Sequence, residues 1–448
     1  MNPDLQLTRL REWLRGQATA TAAEVSAKLS VPPATLSRWM KRPTAADILR
    51  LGRSRATRYG LVRSVKSHGS AWNLYRITKS GSYIVLGRVV ALHDRAFAVL
   101  PAEGAPDWLT ADTEAGAFDD LPWYLQDLRP QGFLGRAFVR RVATLVGVRT
   151  DARHWSADDL IAVLLAFGGD GIGDLVLGDA ALAAAVDPRE PALIHRRDYP
   201  ARALAEVNGE TIGSSVAGEQ PKFAVYAAAD GAPRHVVVKF TTPRNVADAR
   251  WRDLLVAEHL ALETLGEAGL AATASRIVDV DGHRFLEVDR FDRRGARGRS
   301  SSISLTQVDG RFAGVAEGWH RAARRLVKAG VIDAASARDM ERAEAFGAAI
   351  ANSDRHFGNL SFAFDSGLPA KLSPIYDMLP MAFAPGAEGP QPYAPPRLAF
   401  LSDLATEAVA WAKPKARAYW LRIAADPRIS AEFRALAATT ATASVLAD

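Results

Sequence analysis

The chain has 448 residues, enough for two or three domains, and its 48% apolar and 24% charged residues are ordinary for a globular protein. It contains no cysteine, which excludes disulfides, thiolate zinc sites and cysteine nucleophiles. No apolar run approaches the roughly 20 residues of a membrane span, and the polar N-terminus shows no secretory signal. We therefore expect a cytoplasmic protein with no membrane partner.

The first 76 residues are strongly basic, although the whole chain carries a formal charge of only +6. They hold fourteen lysines and arginines against four acidic residues, a net charge of +10. A basic segment attached to a mildly acidic remainder indicates a polyanionic partner for the N-terminus.

Three helices are predicted in this basic segment. Residues 5–16 have an amphipathic pattern, and Thr21 with Glu24 three residues later forms a capping box that starts a second helix. A third helix, 34–42, has small and basic residues on its outer face. Basic and β-prone residues follow in 48–77 and could form a wing hairpin against a phosphate backbone.

Helix, tight turn and basic helix is the order of a helix-turn-helix, whose second helix enters the major groove. We predict a DNA-binding domain at residues 1–78, with Arg38, Lys41 and Arg42 as DNA contacts. The alternative is a basic helical module that packs against protein. A homodimer is plausible because helix-turn-helix proteins often read two half-sites.

A pattern typical of a kinase N-lobe begins near residue 199. A loop of small residues leads into a strand at 223–227, and a second strand, 235–240, ends its apolar run in Lys239. A buried lysine is costly unless it is paired. Glu258, which lies among leucines of the next helix, is the candidate partner, and a solvated pair of surface residues is the alternative.

The predicted nucleotide loop lacks the G-x-G-x-x-G pattern of ordinary kinases. Phosphate binding would therefore rely on the backbone N–H groups of a short nest. The residues assigned to this loop are Ser214, Ser215, Val216, Ala217 and Gly218.

A polar loop at 352–359 follows an apolar helical run and precedes a short strand. Asp354 and Asn359 are five residues apart, the spacing of the kinase catalytic loop, in which the aspartate accepts the substrate proton and the asparagine holds magnesium. Asp377 ends a later apolar segment where a kinase keeps its second magnesium ligand. The spacing alone is weak evidence, but the three residues together indicate phosphoryl transfer. We interpret His356 as packing in the loop or bonding its backbone.

Five motifs occur in the order typical of the HipA-type serine/threonine kinases, which are the toxins of bacterial toxin–antitoxin pairs, and the chain resembles that family. These motifs are the loop from Ser215 to Lys222, the strand ending Val-Val-Val-Lys239, Asp289-Arg-Phe-Asp-Arg293, the loop from Asn352 to Asn359, and Tyr376-Asp377. A helix-turn-helix fused to a HipA-like body further resembles the YjjJ-like branch. In the typical pair, DNA binding belongs to a separate antitoxin chain.

The resemblance implies an α+β protein with an N-terminal winged helix-turn-helix and a two-lobed, kinase-like HipA fold with a helical C-lobe. The corresponding divisions are a DNA-binding domain at 1–78, a HipA N-terminal subdomain at 79–198, a kinase N-lobe at 199–295 and a C-lobe at 296–448.

The resemblance also implies ATP and Mg²⁺ as cofactors and gives catalytic residues their roles. Lys239, held by Glu258, would neutralise the α- and β-phosphates. Asp354 would orient and deprotonate the acceptor hydroxyl, while Asn359 and Asp377 would hold magnesium.

Two further roles are carried over from the family. Asp289, which replaces the more usual glutamate, and Phe291 would lie at the adenine hinge. Ser215, or the adjacent Ser214, would be phosphorylated by the enzyme itself, and the added charge would eject the loop and silence the kinase.

The leading hypothesis is an autophosphorylating serine/threonine protein kinase that also binds DNA. The alternative is a transcription regulator whose kinase-like body binds nucleotide as a signal and transfers nothing. A small-molecule kinase is disfavoured by the serine-bearing loop and by the absence of an evident acidic substrate pocket. The sequence leaves open the protein substrate, the operator and the existence of a separate antitoxin.

Overall fold

The structure is a computed structural model that describes residues 2–111, 113–208, 220–228, 231–241, 246–315, 317–365, 367–386, 389 and 391–447. The chain forms two compact units, and each is described by itself. The first unit comprises Met1–Thr78, Ser82–Arg129 and Val139–Asp187, and the second comprises Lys79–Gly81, Pro130–Phe138 and Pro188–Asp448. The division into four domains stays a prediction.

The basic segment of the first unit combines three helices with a small antiparallel sheet of order β1-β3-β2. Thr21 and Glu24 form the predicted capping box at the start of the second helix, and the third helix ends earlier than predicted, ahead of Pro43. The elements are α1 (Pro3–Leu14), β1 (Ala20–Thr21), α2 (Ala22–Leu29), α3 (Pro33–Trp39), β2 (Ile48–Leu51) and β3 (Arg58–Leu61).

These elements share one apolar core. Leu10, Val25, Leu36 and Tyr59 are buried in it, one from each of the three helices and one from β3. Burial of this apolar set leaves most of the described basic residues of these elements exposed, which is the amphipathic arrangement predicted from the sequence.

The rest of the first unit is built on a five-stranded antiparallel sheet of order β7-β6-β5-β4-β8. The elements are β4 (Ala71–Ile77), β5 (Tyr83–Ala91), β6 (Phe97–Pro101), β7 (Ala117–Phe118), α4 (Trp123–Gln126), α6 (Ala157–Phe167), β8 (Leu175–Leu177) and α7 (Asp179–Ala185), together with the part of α5 (Gly132–Val146) that begins at Val139. Arg63, just after β3, joins the basic segment to helix α6 of this part, because its guanidinium donates to both carboxylate oxygens of Asp158 at 2.7 and 2.8 Å.

The second unit begins with a five-stranded sheet of order β12-β13-β11-β10-β9, in which only the β9–β10 pair is parallel. Asp281 and Gly282 join the last two strands in a hairpin turn, with φ of +48° and +77°. The elements are β9 (Leu193–Ile194), α8 (Tyr199–Asn208), β10 (Lys222–Ala227), β11 (Arg234–Thr241), α9 (Val246–Glu267), β12 (Ser275–Val280) and β13 (His283–Asp289).

The two faces of this sheet are covered by different helices. Tyr199 and Ala203 of α8 pack with Phe223, Val238 and Phe285 on one face. Leu255 of α9 packs with Leu286 and Val288 on the other face. Alternation along each strand sends neighbouring residues to opposite faces, so Lys239 lies on the face that α9 covers in part.

The remainder of the second unit is mainly helical, as predicted. Its centre is an aromatic cluster in which Phe346, Tyr419, Trp420 and Phe433 are fully buried. The elements are β14 (Arg293–Arg294), β15 (Gly298–Arg299), β16 (Ile303–Ser304), α10 (Leu305–Phe312), α11 (Trp319–Lys328), α12 (Ala334–Ala349), β17 (Ser361–Ala363), β18 (Lys371–Leu372), α13 (Thr406–Ala425) and α14 (Ala431–Thr440).

None of the helices within the described ranges is both long enough and apolar enough to cross a bilayer.

Candidate active site

Three charged side chains from distant parts of the second unit meet at the end of β11. The ammonium of Lys239 lies 2.6 Å from each carboxylate oxygen of Glu258, on α9. It also donates to Oδ1 of Asp377. Lys239 and Glu258 are therefore in contact, as the sequence predicts, and Asp377, the predicted magnesium ligand, belongs to the same cluster.

Glu258 is completely enclosed, with 0% of its side chain exposed, and Lys239 is only 7% exposed. Burial raises the pKa of Glu258, and attraction to Lys239 only partly offsets that rise. Burial opposes the charge of Lys239, but attraction to Asp377 and Glu258 outweighs it and raises the lysine pKa. Glu258 has no surface for a ligand, so it would act through Lys239.

Asp377 is held at the cluster by its backbone. The preceding segment pairs with the chain that leads into β12, since Thr273 N–H donates to Ile375 O and Ile375 N–H donates to Ala271 O, both at 2.9 Å. Asp377 itself has a left-handed φ of +51°, an uncommon conformation for a residue with a side chain. Burial would raise its pKa, but Lys239 and then Lys222 lower it well below its usual range.

The polar loop at 352–359 is ordered by its own side chains. Asn352 Oδ1 accepts from the backbone N–H of Asp354 at 3.0 Å, and Asn359 Nδ2 donates to Asp354 O at 2.7 Å. The carboxylate of Asp354 is left free of these bonds and is 51% exposed. Asn359 is buried and commits its amide nitrogen to the loop, which leaves its carbonyl oxygen as the atom suited to a metal.

His356 is bonded within the polar loop. Its Nδ1 accepts from Gly358 N–H at 3.0 Å, so the predicted bond to the loop backbone is confirmed. Its Nε2 lies 4.0 Å from Asp354 Oδ2. The imidazole is therefore close to the predicted catalytic aspartate.

Tyr376 connects this loop to the rest of the site. Its hydroxyl donates to Gly358 O at 2.9 Å, and its ring stacks on Phe291 with centroids 5.6 Å apart. The predicted hinge residue Phe291 and the polar loop are therefore fixed to the residue that precedes Asp377.

Asp289, the other predicted hinge residue, ends β13 and is already engaged by protein. Arg234 Nε donates to its Oδ1 at 2.7 Å, and Arg276 contacts the same oxygen at 3.3 Å. An adenine ring would therefore have to compete with Arg234 and Arg276 for the carboxylate of Asp289.

A buried support under the polar loop was missed by the sequence analysis. Trp319 Nε1 donates to His356 O at 3.2 Å, and Glu344 accepts from the backbone N–H groups of Trp319 and His320 at 3.1 and 2.7 Å. Glu344 thus satisfies the start of α11. The isolated glutamate in the apolar part of α12 was the available signal.

Strand register identifies further residues on the face that carries Lys239. Ala224 of β10 pairs with Val237 of β11, and Lys222 pairs with Lys239. Directly opposed residues project to the same face, so two small or β-branched side chains and a second lysine flank the cluster. Lys222 ends the motif that begins at Ser215, and Val237 lies in the Val-Val-Val-Lys239 motif, but neither motif predicts that the two strands pair in this register.

The remaining predicted residues lie elsewhere. Ser214, Ser215, Val216, Ala217 and Gly218 fall outside the described residues. In the first unit, the three DNA-binding candidates at the end of α3 and just beyond it are exposed: Arg38, Lys41 and Arg42.

A cavity of about 400 Å³ lies in the first unit among His68, Trp72, Arg88 and Asp179. None of the catalytic, cofactor-binding, metal-binding or DNA-binding residues predicted from the sequence lines this cavity.

Comparison with known proteins gives a consistent assignment. Residues 68–186 match the family model described as "YjjJ-like toxin, middle domain", and residues 214–444 match "HipA-like C-terminal domain". Toxin YjjJ of Escherichia coli (strain K12) is 37% identical over 433 residues, which cover 94% of each chain. This chain belongs to the YjjJ-like toxin family. The family resemblance inferred from the sequence is therefore confirmed.

The YjjJ-like chain also shares the fold of a HipA protein of known structure. A structure of the HipA, HipB and operator DNA complex from Shewanella oneidensis MR-1 contains a chain matched with a TM-score of 0.54 and 17% identity. The match covers 84% of this chain and 95% of that one, and it establishes a mixed α+β, HipA-like fold. The Helicobacter pylori proinflammatory kinase CtkA is matched with a TM-score of only 0.34, too low to show a shared fold.

Proposed function

We propose that this YjjJ-like toxin is an ATP- and Mg²⁺-dependent serine/threonine protein kinase. The observation that carries the proposal is the convergence of Lys239, Glu258 and Asp377, with the Asp354 loop joined to the residue before Asp377 by the hydrogen bond from Tyr376 to Gly358 O. An ion pair between a strand lysine and a helix glutamate, beside a metal-binding aspartate, is the arrangement that kinases use for phosphoryl transfer.

Each side chain would have a definite task. Lys239, oriented by Glu258, would bind the nucleotide phosphates. Asp377 and the carbonyl oxygen of Asn359 would be the protein ligands of Mg²⁺, which commonly takes one or two protein carboxylates and completes its shell with phosphate oxygens and water. The ion would neutralise charge on the transferred phosphoryl group.

Asp354 is the candidate base for the acceptor hydroxyl. Its carboxylate is half exposed and free of the hydrogen bonds that order its loop, so an incoming serine or threonine can reach it. Because proton transfer requires contact within hydrogen-bond distance, this accessibility favours Asp354 over the buried Glu258.

The nucleotide face of the sheet would supply the adenine site. Ala224 and Val237 stand side by side there, on the same face as Lys239, and apolar side chains of this size suit a planar base. Phe291, fixed by Tyr376, would lie at the adjoining hinge. Ser215 or Ser214 would be the autophosphorylated residue, since both belong to the loop that precedes β10.

The test compares the wild-type protein, Asp354→Asn and a matched control, Asp281→Asn, in labelled ATP with Mg²⁺. Asp281 lies in an exposed hairpin turn that also suits asparagine. We expect phosphate incorporation by the wild type and the control, and a fall of at least about a hundredfold for Asp354→Asn, the usual contribution of a positioned base. Equal incorporation by all three proteins would refute the assignment.

Mass spectrometry of the same wild-type sample would locate the phosphate. Phosphate on Ser215 or Ser214 supports autoregulation. Nucleotide binding without any transfer would favour the alternative function, a transcription regulator with a catalytically silent, nucleotide-sensing body.

We also propose that the N-terminal segment is a winged helix-turn-helix that binds DNA. Three helices on a β1-β3-β2 sheet with a core of their own support this. Leu36 and Trp39 anchor α3 in that core, while Arg38 and Lys41 stay exposed. A helix held by its apolar side with cations outward suits a DNA groove.

Phosphate contacts make binding depend on salt, so the test measures affinity for duplex DNA at several salt concentrations. Lys41→Ala should weaken binding and reduce the magnitude of the salt slope by about 1 if the lysine contacts phosphate. Lys328→Ala, an exposed lysine of the second unit, is the control and should change neither quantity. Identical slopes for all three proteins would contradict the assignment of Lys41.

A further inference from the structure

The cavity in the first unit has no part in the proposed kinase function. It lies at the start of β4, among residues of β5, α6 and the junction of β8 with α7. Every residue that lines it falls within 68–186, the part of the chain that matches the YjjJ-like middle-domain model. Its volume of about 400 Å³ is near the lower end of the range for small-molecule pockets. The cavity therefore has room for a small metabolite.

The walls of the cavity are held by contacts within the protein. Trp72 is buried, and its indole Nε1 donates to His68 O at 2.7 Å. Gly178 N–H donates to Asn73 O at 2.9 Å. Gly178 has a φ of +86°, and a Cβ at that position would collide with Leu165 Cδ2, so the wall requires glycine there. A wall fixed in this way is typical of a pre-formed ligand site.

Asp179 and Asn73 present oxygen acceptors at the cavity. Asp179 Oδ1 accepts from the Tyr75 hydroxyl and, at 3.2 Å, from Asn73 Nδ2. Because a carboxylate can only accept, these bonds fix the amide of Asn73 with its nitrogen toward Asp179. Within the described part of the chain, Asp179 Oδ2 and Asn73 Oδ1 make no hydrogen bond. Two acceptor oxygens are therefore left for a ligand that donates.

Arg88 supplies the opposite charge. It is the register partner of Asn73 in an antiparallel pair, so the two side chains project to the same face of the sheet. Arg88 is the only lysine or arginine that lines the cavity, and Asp179 is the only acidic residue. Both are exposed, so a ligand can reach them from solvent. Among the residues that the structure describes, the guanidinium of Arg88 has no hydrogen-bond or ion-pair partner.

This charge pattern selects among classes of ligand. A simple anion that bound Arg88 would be repelled by Asp179, and a simple cation that bound Asp179 would be repelled by Arg88. A molecule with one charge of each sign satisfies both residues. Hydrogen bonds to ionised groups are about twice as strong as those between neutral groups, so the two charged ends would dominate the affinity.

We propose that this cavity binds a free α-amino acid in its zwitterionic form. The carboxylate of the ligand would accept from the Arg88 guanidinium, whose planar fork suits bidentate contact. The ammonium would donate to Asp179 Oδ2 and Asn73 Oδ1. Because the rest of the lining is largely apolar, the ligand would carry an apolar side chain. The residues that would contact this side chain are Ala71, Trp72, Leu165 and Ala180.

The first experiment measures equilibrium binding of L-leucine, L-methionine and L-phenylalanine to the full-length protein by titration calorimetry, without nucleotide. The amino acid that binds best is then compared with its N-acetyl derivative, which lacks the ammonium, and with its carboxamide, which lacks the carboxylate. We expect each derivative to bind at least about tenfold more weakly, as for the loss of one charge-assisted hydrogen bond.

The second experiment repeats the titrations with variants of the full-length protein. Arg88→Met should weaken binding of the amino acid at least about tenfold but change the affinity for the carboxamide less than about twofold, because the carboxamide has no carboxylate to lose. Asp179→Asn should likewise weaken binding of the amino acid but not of the N-acetyl derivative. Arg141→Met is the control, since Arg141 is an exposed arginine of α5 in the same unit, and it should match the wild type.

Several results would overturn the proposal. It fails if none of the three amino acids binds, or if either derivative binds as tightly as the free amino acid. It also fails if Arg88→Met binds the amino acid like the wild type, or if it loses amino acid and carboxamide equally, which would indicate lost structure. If Asp179→Asn does not fold, the Arg88 variant and the two derivatives decide the question. A failure of phosphoryl transfer would leave all these results unchanged.

Discussion

Replacing Lys239 by methionine tests whether the buried charged cluster is as tightly coupled as its geometry indicates. At 2.6 Å from Glu258 and an effective dielectric constant of about 20, the attraction between the two charges is about 6 kcal/mol. Desolvation of both groups offsets most of this attraction in the intact protein. Methionine keeps the volume of the lysine stem but leaves Glu258 and Asp377 without their shared cation.

We expect Lys239→Met to lower the free energy of unfolding of the second unit by about 3–5 kcal/mol at pH 8, the usual cost of leaving a buried charge unpaired. The cost should shrink at pH 5. Without the ammonium, burial and mutual repulsion raise the pKa of Glu258 and Asp377 above their unfolded-state values. A carboxyl with a raised folded-state pKa destabilises the fold above that pKa, and the penalty fades as the pH falls through it.

Urea denaturation at pH 5 and pH 8, followed by tryptophan fluorescence, gives the free energies, and hydrogen exchange of α9 peptides shows whether the loss is local to the cluster. Lys371→Met is the matched control, because Lys371 is 66% exposed in its pair with Asp333 and should contribute about 1 kcal/mol or less. The reasoning fails if both variants lose the same stability, or if the loss in Lys239→Met is independent of pH.

Two further substitutions probe how the sheet and the polar loop are held. Glu287→Gln should lower the free energy of unfolding by about 3–5 kcal/mol, because Glu287 is buried between Arg196 and Arg234, each 2.8–2.9 Å from it. Burial would raise the pKa of Glu287, but Arg196 lowers it below its usual value, so the wild-type advantage, measured by urea denaturation, should disappear as the pH falls below about 4. Tyr376→Phe removes the hydrogen bond to Gly358 O, at 2.9 Å, and should lower the free energy of unfolding by about 0.5–1.5 kcal/mol. Backbone hydrogen exchange in residues 354–360 should become faster, and unchanged exchange would contradict the role of that hydroxyl.

Some of this site follows from local sequence pattern. Lys239 ends an apolar strand and Glu258 lies among leucines, so each places a charge in a segment that is expected to be buried. Burial of a charge is costly unless it is paired, and pairing the two residues with each other removes most of that cost. That reasoning predicts the contact between Lys239 and Glu258. It placed Asp354 and Asn359 in one loop because their separation is only five residues.

Other parts depend on tertiary contacts that local pattern does not encode. Lys239 and Asp377 are 138 residues apart, and their contact requires the backbone pairing of Ile375 with residues 271–273. The position of Lys222 opposite Lys239 follows from strand register, and a shift of one residue would send Lys222 to the other face of the sheet. Trp319 supports the loop through a carbonyl 37 residues away, and no side-chain pattern indicates such a bond.

Glu287 and Lys239 lie on opposite faces of the β10–β11–β13 sheet. Glu287 is the register partner of Val238, whereas Leu286 is the partner of Lys239, so Glu287 projects away from the candidate nucleotide site. Glu287→Gln should therefore weaken the fold and leave ATP affinity unchanged under conditions where the protein is folded. A loss of ATP affinity in folded Glu287→Gln would show that the two faces of the sheet are coupled and would contradict this expectation.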